Sequence, residues 1–161
     1  MPRILGIDPG SQVTGYGLVE AGPRGIQPLD FGRVRPGSGL ELPDRLLYIH
    51  RELTRILASH RPDVVAVETA FYHKNVRSTL VLGHVRGVVI LAAREVGLPV
   101  AEYAPREIKM AVTGSGDAAK EQVAFMVRGL LGLAETPDAD AADALAVALC
   151  HWHRERVRVP V

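Results

Sequence analysis

Two short apolar segments of this chain each end in a carboxylate. The first, Arg3–Asp8, is followed by Pro9 and Gly10, which interrupt a strand ladder and permit a turn. The second, Asp63–Glu68, is rich in β-branched residues and also predicts a buried strand. Because α/β sheets place ligands at the carboxyl ends of their strands, the two acids indicate a polar site at that edge. Taken singly, each acid has an ordinary alternative, a turn cap for the first and a surface ion pair for the second.

A third segment carries two more acids. Thr136 and Pro137 predict the N-cap and first residue of a helix that runs to about Arg154. Asp140 then falls in the first turn, where an acid also suits the helix dipole. Asp143 has no such explanation, since it lies in the second turn among alanines and a leucine. A separation of three residues puts both carboxylates on one helix face, and the small alanines allow that helix to approach a sheet closely.

The four candidate residues, Asp8, Glu68, Asp140 and Asp143, suggest a metal site. Brought into one cleft, their charges would repel and raise each other's pKa unless divalent cations neutralised them. Oxygen donors without a thiolate favour Mg²⁺ or Mn²⁺ over zinc. Two such ions about 4 Å apart would hold a phosphodiester, activating a water on one side and stabilising the leaving oxygen on the other. The pattern therefore predicts metal-dependent phosphodiester hydrolysis.

Composition is typical of one globular domain. With 161 residues, 47% hydrophobic and 23% charged, we expect a single domain over residues 1–161, with residues 155–161 as a basic, loosely ordered tail. No uninterrupted apolar run reaches the roughly 18 residues of a membrane span, and no signal peptide is evident. We therefore expect a cytoplasmic protein without a membrane segment. The single cysteine, Cys150, excludes an internal disulfide.

Basic residues are concentrated between the second and third acidic segments, although the net charge is only +1. The candidate DNA contacts are Lys74, Arg77, Lys109 and Lys120, with Phe71 beside them as an aromatic that can stack on a base. Basic residues around a carboxylate cluster would offset its repulsion of an approaching phosphate backbone. Solvated helix faces around a buried aromatic would produce the same pattern about as often.

The other predicted elements complete an alternating α/β order. The segment Val76–Val96 predicts a long helix that is apolar over much of its circumference, with a small-residue strip at Gly83 and Gly87, and this favours a dimer interface. The remaining predictions are strands at Thr14–Glu20, Ile26–Val34 and Leu98–Tyr103, and helices at Leu42–Ser59, from Pro105, and around Val123–Leu131.

This order resembles the ribonuclease H-like nuclease fold, an α/β architecture with a five-stranded mixed sheet whose first three strands are antiparallel and which helices flank. Within that superfamily the chain resembles the RuvC family of Holliday-junction resolvases over nearly its whole length. The motifs that carry the resemblance are Gly6–Gly10, Val67-Glu68 followed by Phe71 and Lys74-Asn75, Gly83–Gly87, Tyr103–Lys109 and Ala139–Ala146.

The resemblance implies residue roles and partners. It places Asp8, Glu68, Asp140 and Asp143 on the family's metal-binding catalytic positions, although some members carry histidine where this chain has Asp140. It places Phe71 beside the active site, and Lys109 and Lys120 near the scissile phosphate and the DNA backbone. It also implies a homodimer that nicks a four-way junction symmetrically, with some preference for T-rich sequence, in recombination and repair. RuvA and RuvB are the implied partners.

Two other functions remain open from sequence. The segment Gly6–Gly10 also resembles the first phosphate-binding segment of actin-like kinases, which would make the chain an ATP-binding protein, but those kinases need two lobes. The second alternative is a junction-binding module without catalysis. The complete set of four acids favours the nuclease over both.

Overall fold

The computed structural model describes residues 1–69 and 74–158. Its elements in chain order are β1 (Arg3–Asp8), β2 (Thr14–Gly22), β3 (Gly25–Val34), α1 (Leu42–His60), β4 (Val64–Glu68), α2 (Val76–Glu95), β5 (Val100–Tyr103), α3 (Pro105–Thr113), α4 (Lys120–Leu130) and α5 (Ala139–Arg158). The order of strands and helices is the one that the sequence predicts. The bounds of β1 are as predicted, those of the other strands and of α1 and α2 differ by one or two residues, and α4 begins three residues earlier than predicted.

The strands form a five-stranded mixed sheet in the order β3-β2-β1-β4-β5. The first three strands are antiparallel, whereas β4 runs parallel to β1 and β5 parallel to β4. The predicted mixed sheet is therefore confirmed. Parallel pairing brings the carboxyl ends of β1, β4 and β5 to one edge, where the two strand-terminal acids lie.

Strand alternation divides the core into two layers. Ile4 packs in the layer formed with α3, α4 and α5, whereas Leu5 and Ile7 pack in the layer formed with α1 and α2. Asp8 lies four residues beyond Ile4 and therefore on the α5 face of the sheet. Glu68 shares that face because β1 and β4 pair in register.

Helix α5 lies directly on the sheet at positions where the strands carry glycine. A methyl group at Gly6 would overlap the backbone carbonyl of Ala144, and one at Gly15 would overlap the carbonyl of Asp140. Such close approach is possible only because these strand residues have no side chain. The two glycines therefore set how near the acids of α5 come to those of β1 and β4.

The ends of α5 differ from the prediction. The helix begins at Ala139, and Asp138 caps it: its carboxylate accepts a hydrogen bond from the Ala141 amide at 3.1 Å. Asp138 is as good an N-cap as the predicted Thr136 and lies two residues later, so Pro137 stays outside the helix. At the other end the helix continues to Arg158, so residues 155–158 belong to it and not to a loose tail. Residues 159–161 lie outside the described part of the chain.

Only part of the surface of helix α2 is buried in the fold. Its buried residues are Val85, Val89, Ala92 and Ala93. Within the described residues it is long and apolar enough to cross a membrane by length and composition, a property that the sequence analysis missed. A single such helix is a weak indication, and here it packs against α1 and forms an ion pair with β5 through Arg86. We therefore describe it as a helix of the folded domain.

Candidate active site

A cleft of about 1140 Å³ opens at the carboxyl ends of β1 and β4. Asp8 and Glu68 line it from the sheet, and Asp143 lines it from α5. Asp140 is not among the lining residues, but its charge acts on both Asp8 and Asp143. The structure therefore brings three of the four predicted acids into one cleft and places the fourth close beside them.

A closed turn holds the first acid in place. The hydroxyl of Thr14, which is fully buried, donates to the carbonyl of Gly10 at 2.7 Å and accepts from the Gly10 amide at 3.2 Å. These bonds join the start of β2 to the residues that follow Asp8. The sequence analysis did not identify Thr14. A threonine four residues after a glycine in a hairpin is a signal for such a bond from a hydroxyl to the backbone.

Burial and neighbouring charges raise the pKa of two of the four acids, Asp8 and Asp143. Burial raises the pKa of Asp8 to about 9, and its hydrogen bond with Glu68 and the charges of Glu68, Asp143 and Asp140 add to that effect. Burial likewise raises the pKa of Asp143 to about 6, and the positive charge of Lys120 opposes the increase. Lys120 and Lys109 are therefore the cations that partly offset the rise in the Asp143 pKa.

The acidic side chains do not already surround a common point. Among residues 1–69 and 74–158, no three His, Cys, Asp or Glu side chains form a group that could hold a metal ion. Asp8 and Glu68 are instead joined to each other by a hydrogen bond. Because the pKa of Asp8 is raised to about 9, Asp8 is the carboxyl group that can donate this bond at neutral pH.

The predicted basic residues have different positions. Lys109 on α3 and Lys120 at the start of α4 line one wall of the cleft, and their charges act on Asp143. Arg77 near the start of α2 lines the opposite wall. Lys74 is exposed but is not among the lining residues. Phe71 lies outside the described residues.

Asn75 positions the wall that contains Arg77. Its side-chain carbonyl oxygen accepts hydrogen bonds from the amides of Arg77 at 2.9 Å and Ser78 at 3.4 Å, and so caps α2. Ser78 also lines the cleft and was not predicted. An Asn two residues before a predicted basic contact is the sequence signal for such a cap.

The same wall continues into the start of α1, which sequence reasoning did not connect with the site. Leu40, Leu42 and Arg45 line the cleft there, together with Gln12 from the turn after β1. These residues lie far from the acids in sequence, and only the folded chain brings them to the same opening. The cleft therefore has two walls that both carry cations above an acidic floor.

Comparison with known proteins identifies the family. Residues 4–151 match the family model described as crossover junction endodeoxyribonuclease RuvC. Proteins of that name are 53% identical over 154 residues in Alkalilimnicola ehrlichii, covering 96% of this chain and 93% of the relative, and 57% identical over 159 residues in Acidobacterium capsulatum, covering 94% and 93%. The solved structure of T. thermophilus RuvC in complex with Holliday junction substrate is 38% identical, with a TM-score of 0.91, over 98% of this chain and 96% of that chain.

These matches extend over nearly the whole chain and include its fold. They confirm the predicted ribonuclease H-like α/β architecture and the predicted endonuclease that resolves Holliday junctions. They favour neither the actin-like ATP-binding protein nor the junction-binding module without catalysis. The chain belongs to the RuvC family of crossover junction endodeoxyribonucleases.

Proposed function

We propose that this protein resolves four-way DNA junctions by hydrolysing one phosphodiester in each of two opposed strands, with Asp8, Glu68, Asp140 and Asp143 as its catalytic carboxylates. The observation that carries the proposal is the convergence of Asp8, Glu68 and Asp143, from two strands and a helix, in one cleft. Burial and the charges of the neighbouring acids raise the pKa of Asp8 and Asp143, a cost in stability that points to a functional role for the cluster.

The donor chemistry of these four residues fits a divalent cation. All are carboxylates, and the raised pKa of Asp8 means that positive charge at this point would favour its ionised form. Hard oxygen donors suit Mg²⁺, with Mn²⁺ as a substitute, and two ions per site match the four carboxylates. When bound, such ions supply the charge that activates water and stabilises the leaving oxygen.

The chain's own cations hold the substrate over this floor. Lys109 and Lys120 are close enough to Asp143 to act on its pKa, so a phosphate above Asp143 would also lie near both ammonium groups. Arg77 faces the same opening from the other wall. We assign these three residues to phosphate contacts, and Lys74, which is exposed beside Asn75, to the outer backbone. Phe71 retains its proposed role beside the junction through the family resemblance.

Helix α2 supports a homodimer. Val76, Leu80 and Leu91 are 74%, 63% and 54% exposed, and added methyl groups at Gly83 and Gly87 would meet open space. These five positions follow one another at intervals of three or four residues and therefore form one stripe, which we call the α2 stripe. A second copy that packs on the α2 stripe would cover it, and two sites in one assembly could nick two strands.

The remaining assignments follow from membership in the family. We propose that the protein acts in the cytoplasm, in homologous recombination and DNA repair, after RuvA and RuvB have bound and moved the junction. Its substrate is then a branched DNA and not an ordinary duplex.

The decisive experiment compares two substrates and two proteins. A synthetic four-way junction and a linear duplex of matched sequence are incubated with the parent and with Asp8→Asn, with and without Mg²⁺, and the nicks are mapped. We expect paired nicks only in the junction, only with Mg²⁺ and only with the parent. Equal cutting of both substrates would reject junction resolution, and cutting by a folded Asp8→Asn variant would reject the carboxylate chemistry.

A further inference from the structure

The wall of the cleft opposite Lys109 and Lys120 contains an arginine that the proposed chemistry does not use. Arg45, in the first turn of α1, is half-buried and lines the same cleft as Asp8 and Glu68. Its Nε donates a hydrogen bond to the carbonyl of Leu40 at 2.8 Å. This bond fixes the guanidinium plane against the turn that precedes the helix.

The outer edge of that guanidinium is available to a ligand. Within residues 1–69 and 74–158, neither terminal nitrogen of Arg45 has an acceptor, and no carboxylate forms an ion pair with it. Glu41 also lines the cleft but is exposed and does not pair with it. An arginine that is held by one nitrogen and open at the other two suits two parallel hydrogen bonds to a phosphate.

The dimensions of the cleft leave room for more than the reacting group. A volume of about 1140 Å³ exceeds what one phosphodiester fills, and the cleft extends from the acids to the start of α1. A strand whose scissile phosphate lay over Asp8 and Asp143 would have room to continue along the wall opposite the lysines. There the start of α1 at Leu42 adds the positive end of a helix dipole to the charge of Arg45.

We propose that Arg45 is a positioning residue that binds the phosphate next to the scissile one on the same strand, and so fixes which bond lies over the carboxylates. The inference rests on the proposed hydrolysis at the acidic floor. Lys109 and Lys120 would then contact the strand at one side of the cut and Arg45 at the other. Two anchors on opposite walls define the register of the strand, which a single basic wall cannot do.

The test is a phosphate-by-phosphate comparison. Junctions that carry a neutral methylphosphonate at the same position of both cut strands, moved stepwise around the cut, are bound and cut by the parent and by Arg45→Ala. We expect one flanking position at which the methylphosphonates weaken parental binding about tenfold, and Arg45→Ala to bind the unmodified junction about tenfold more weakly with no further loss at that position. The slope of log affinity against log salt should also fall by about two, one for each protomer of the proposed dimer.

The matched control is Arg51→Ala, which removes the same charge from an exposed position of the same helix outside the cleft. It should leave affinity, nick position and all methylphosphonate effects as in the parent. Two results would overturn the assignment. One is that the loss of affinity in Arg45→Ala multiplies with the methylphosphonate loss at every position, and the other is that Arg51→Ala loses as much affinity as Arg45→Ala. If Arg45→Ala does not fold, Arg45→Gln keeps a side-chain donor for the Leu40 carbonyl and serves in the same comparison.

The result also separates this inference from the proposed hydrolysis. A parent that binds junctions but does not cut them with Mg²⁺ would reject the hydrolysis, while the binding comparison would still decide the role of Arg45. A parent that cuts normally and shows no position-specific coupling would reject the role of Arg45 alone.

Discussion

Helices α5 and α2 have the same length, 20 residues each, but opposite surroundings. In α5, every residue from Ala144 to Cys150 is buried, and the side that faces the sheet contacts glycine positions of β1 and β2. In α2, only four residues are buried, and the α2 stripe is open. Both helices are rich in small and apolar residues, so composition does not explain the difference. What differs is whether the same chain supplies a matching surface.

The comparison separates two uses of small residues. On α5 and the strands beneath it, they allow two backbones of one chain to approach, and that approach carries Asp143 to Asp8. On α2 they form part of the α2 stripe, where no described residue of the chain packs against Gly83 or Gly87. Helix α5 therefore builds the site within one chain, whereas we propose that α2 connects two copies of it. Each of the four predictions below tests one side of that contrast.

The largest effect should come from the acid on α5. We expect Asp143→Asn to lower the rate of junction cleavage by about a thousandfold or more. The neutral amide removes a negative charge and replaces one of the two oxygens that can bind a metal ion at the floor of the cleft. Single-turnover cleavage at saturating protein measures this loss. Asp138→Asn is the control: asparagine caps helices as well as aspartate, so cleavage should remain close to that of the parent. Similar losses in both variants would mean that cleavage responds to any loss of negative charge near the start of α5 and not to Asp143 in particular.

The second effect concerns the contact between α5 and the sheet. We expect Gly6→Ala to lower the free energy of unfolding by about 3 kcal/mol, because the new methyl overlaps the Ala144 carbonyl and forces the helix away. Urea unfolding measures the change. Gly129→Ala places the same methyl in open space on α4, outside the α2 stripe, where helix propensity favours alanine by up to about 1 kcal/mol. Equal destabilisation by the two substitutions would mean that the close approach of α5 to β1 is not what requires glycine at position 6.

The third effect concerns the exposed side of α2. We expect Leu80→Glu to weaken self-association by about 2 kcal/mol, roughly thirtyfold in the dissociation constant, because it places a charge in the centre of the α2 stripe. Sedimentation over a range of concentrations measures this change. Phe125→Glu is the control, since Phe125 is 70% exposed on α4, outside the α2 stripe. If both variants associate as the parent does, α2 is not the contact surface.

Much of the fold and of the acidic floor could be predicted from the sequence. The strands that end in Asp8 and Glu68 have strong local signals: β-branched residues, a proline after the first, and alternation that fixes the face. Asp143 could be identified because a charged residue in an apolar stretch of helix needs a reason to be there. These inferences depend on properties of consecutive residues, which is why they agree with the structure.

The parts that sequence reasoning missed depend on bonds formed within loops. The Thr14 hydroxyl to Gly10, Arg45 to Leu40 and the Asn75 cap each require a particular backbone conformation before the partners meet. The start of α5 was placed too early for a related reason, because Thr136 and Asp138 are both acceptable caps and only the packed helix decides between them. Side chains that join separate elements have no comparable signal in their own segment.

The fourth effect is the electrostatic cost of the site that α5 builds, and it should appear as a dependence of stability on pH. Because the pKa of Asp8 is raised from 3.8 to about 9, the folded protein keeps a proton that the unfolded chain loses. The stability from that proton is complete below about pH 3.8 and is lost as the pH rises towards 9.

Asparagine does not titrate, so in the metal-free protein Asp8→Asn should gain stability relative to the parent as the pH rises, by up to about 1.4 kcal/mol per pH unit. Urea unfolding in EDTA at a series of pH values between 5 and 8 measures the difference, and Asp63→Asn, an exposed acid at the opposite end of β4, is the control. The change of stability with pH should be larger in Asp8→Asn than in Asp63→Asn. Parallel curves for the parent and Asp8→Asn would mean that neither burial nor the neighbouring acids raise the pKa of Asp8, and the close packing of α5 on the sheet would then carry no electrostatic cost.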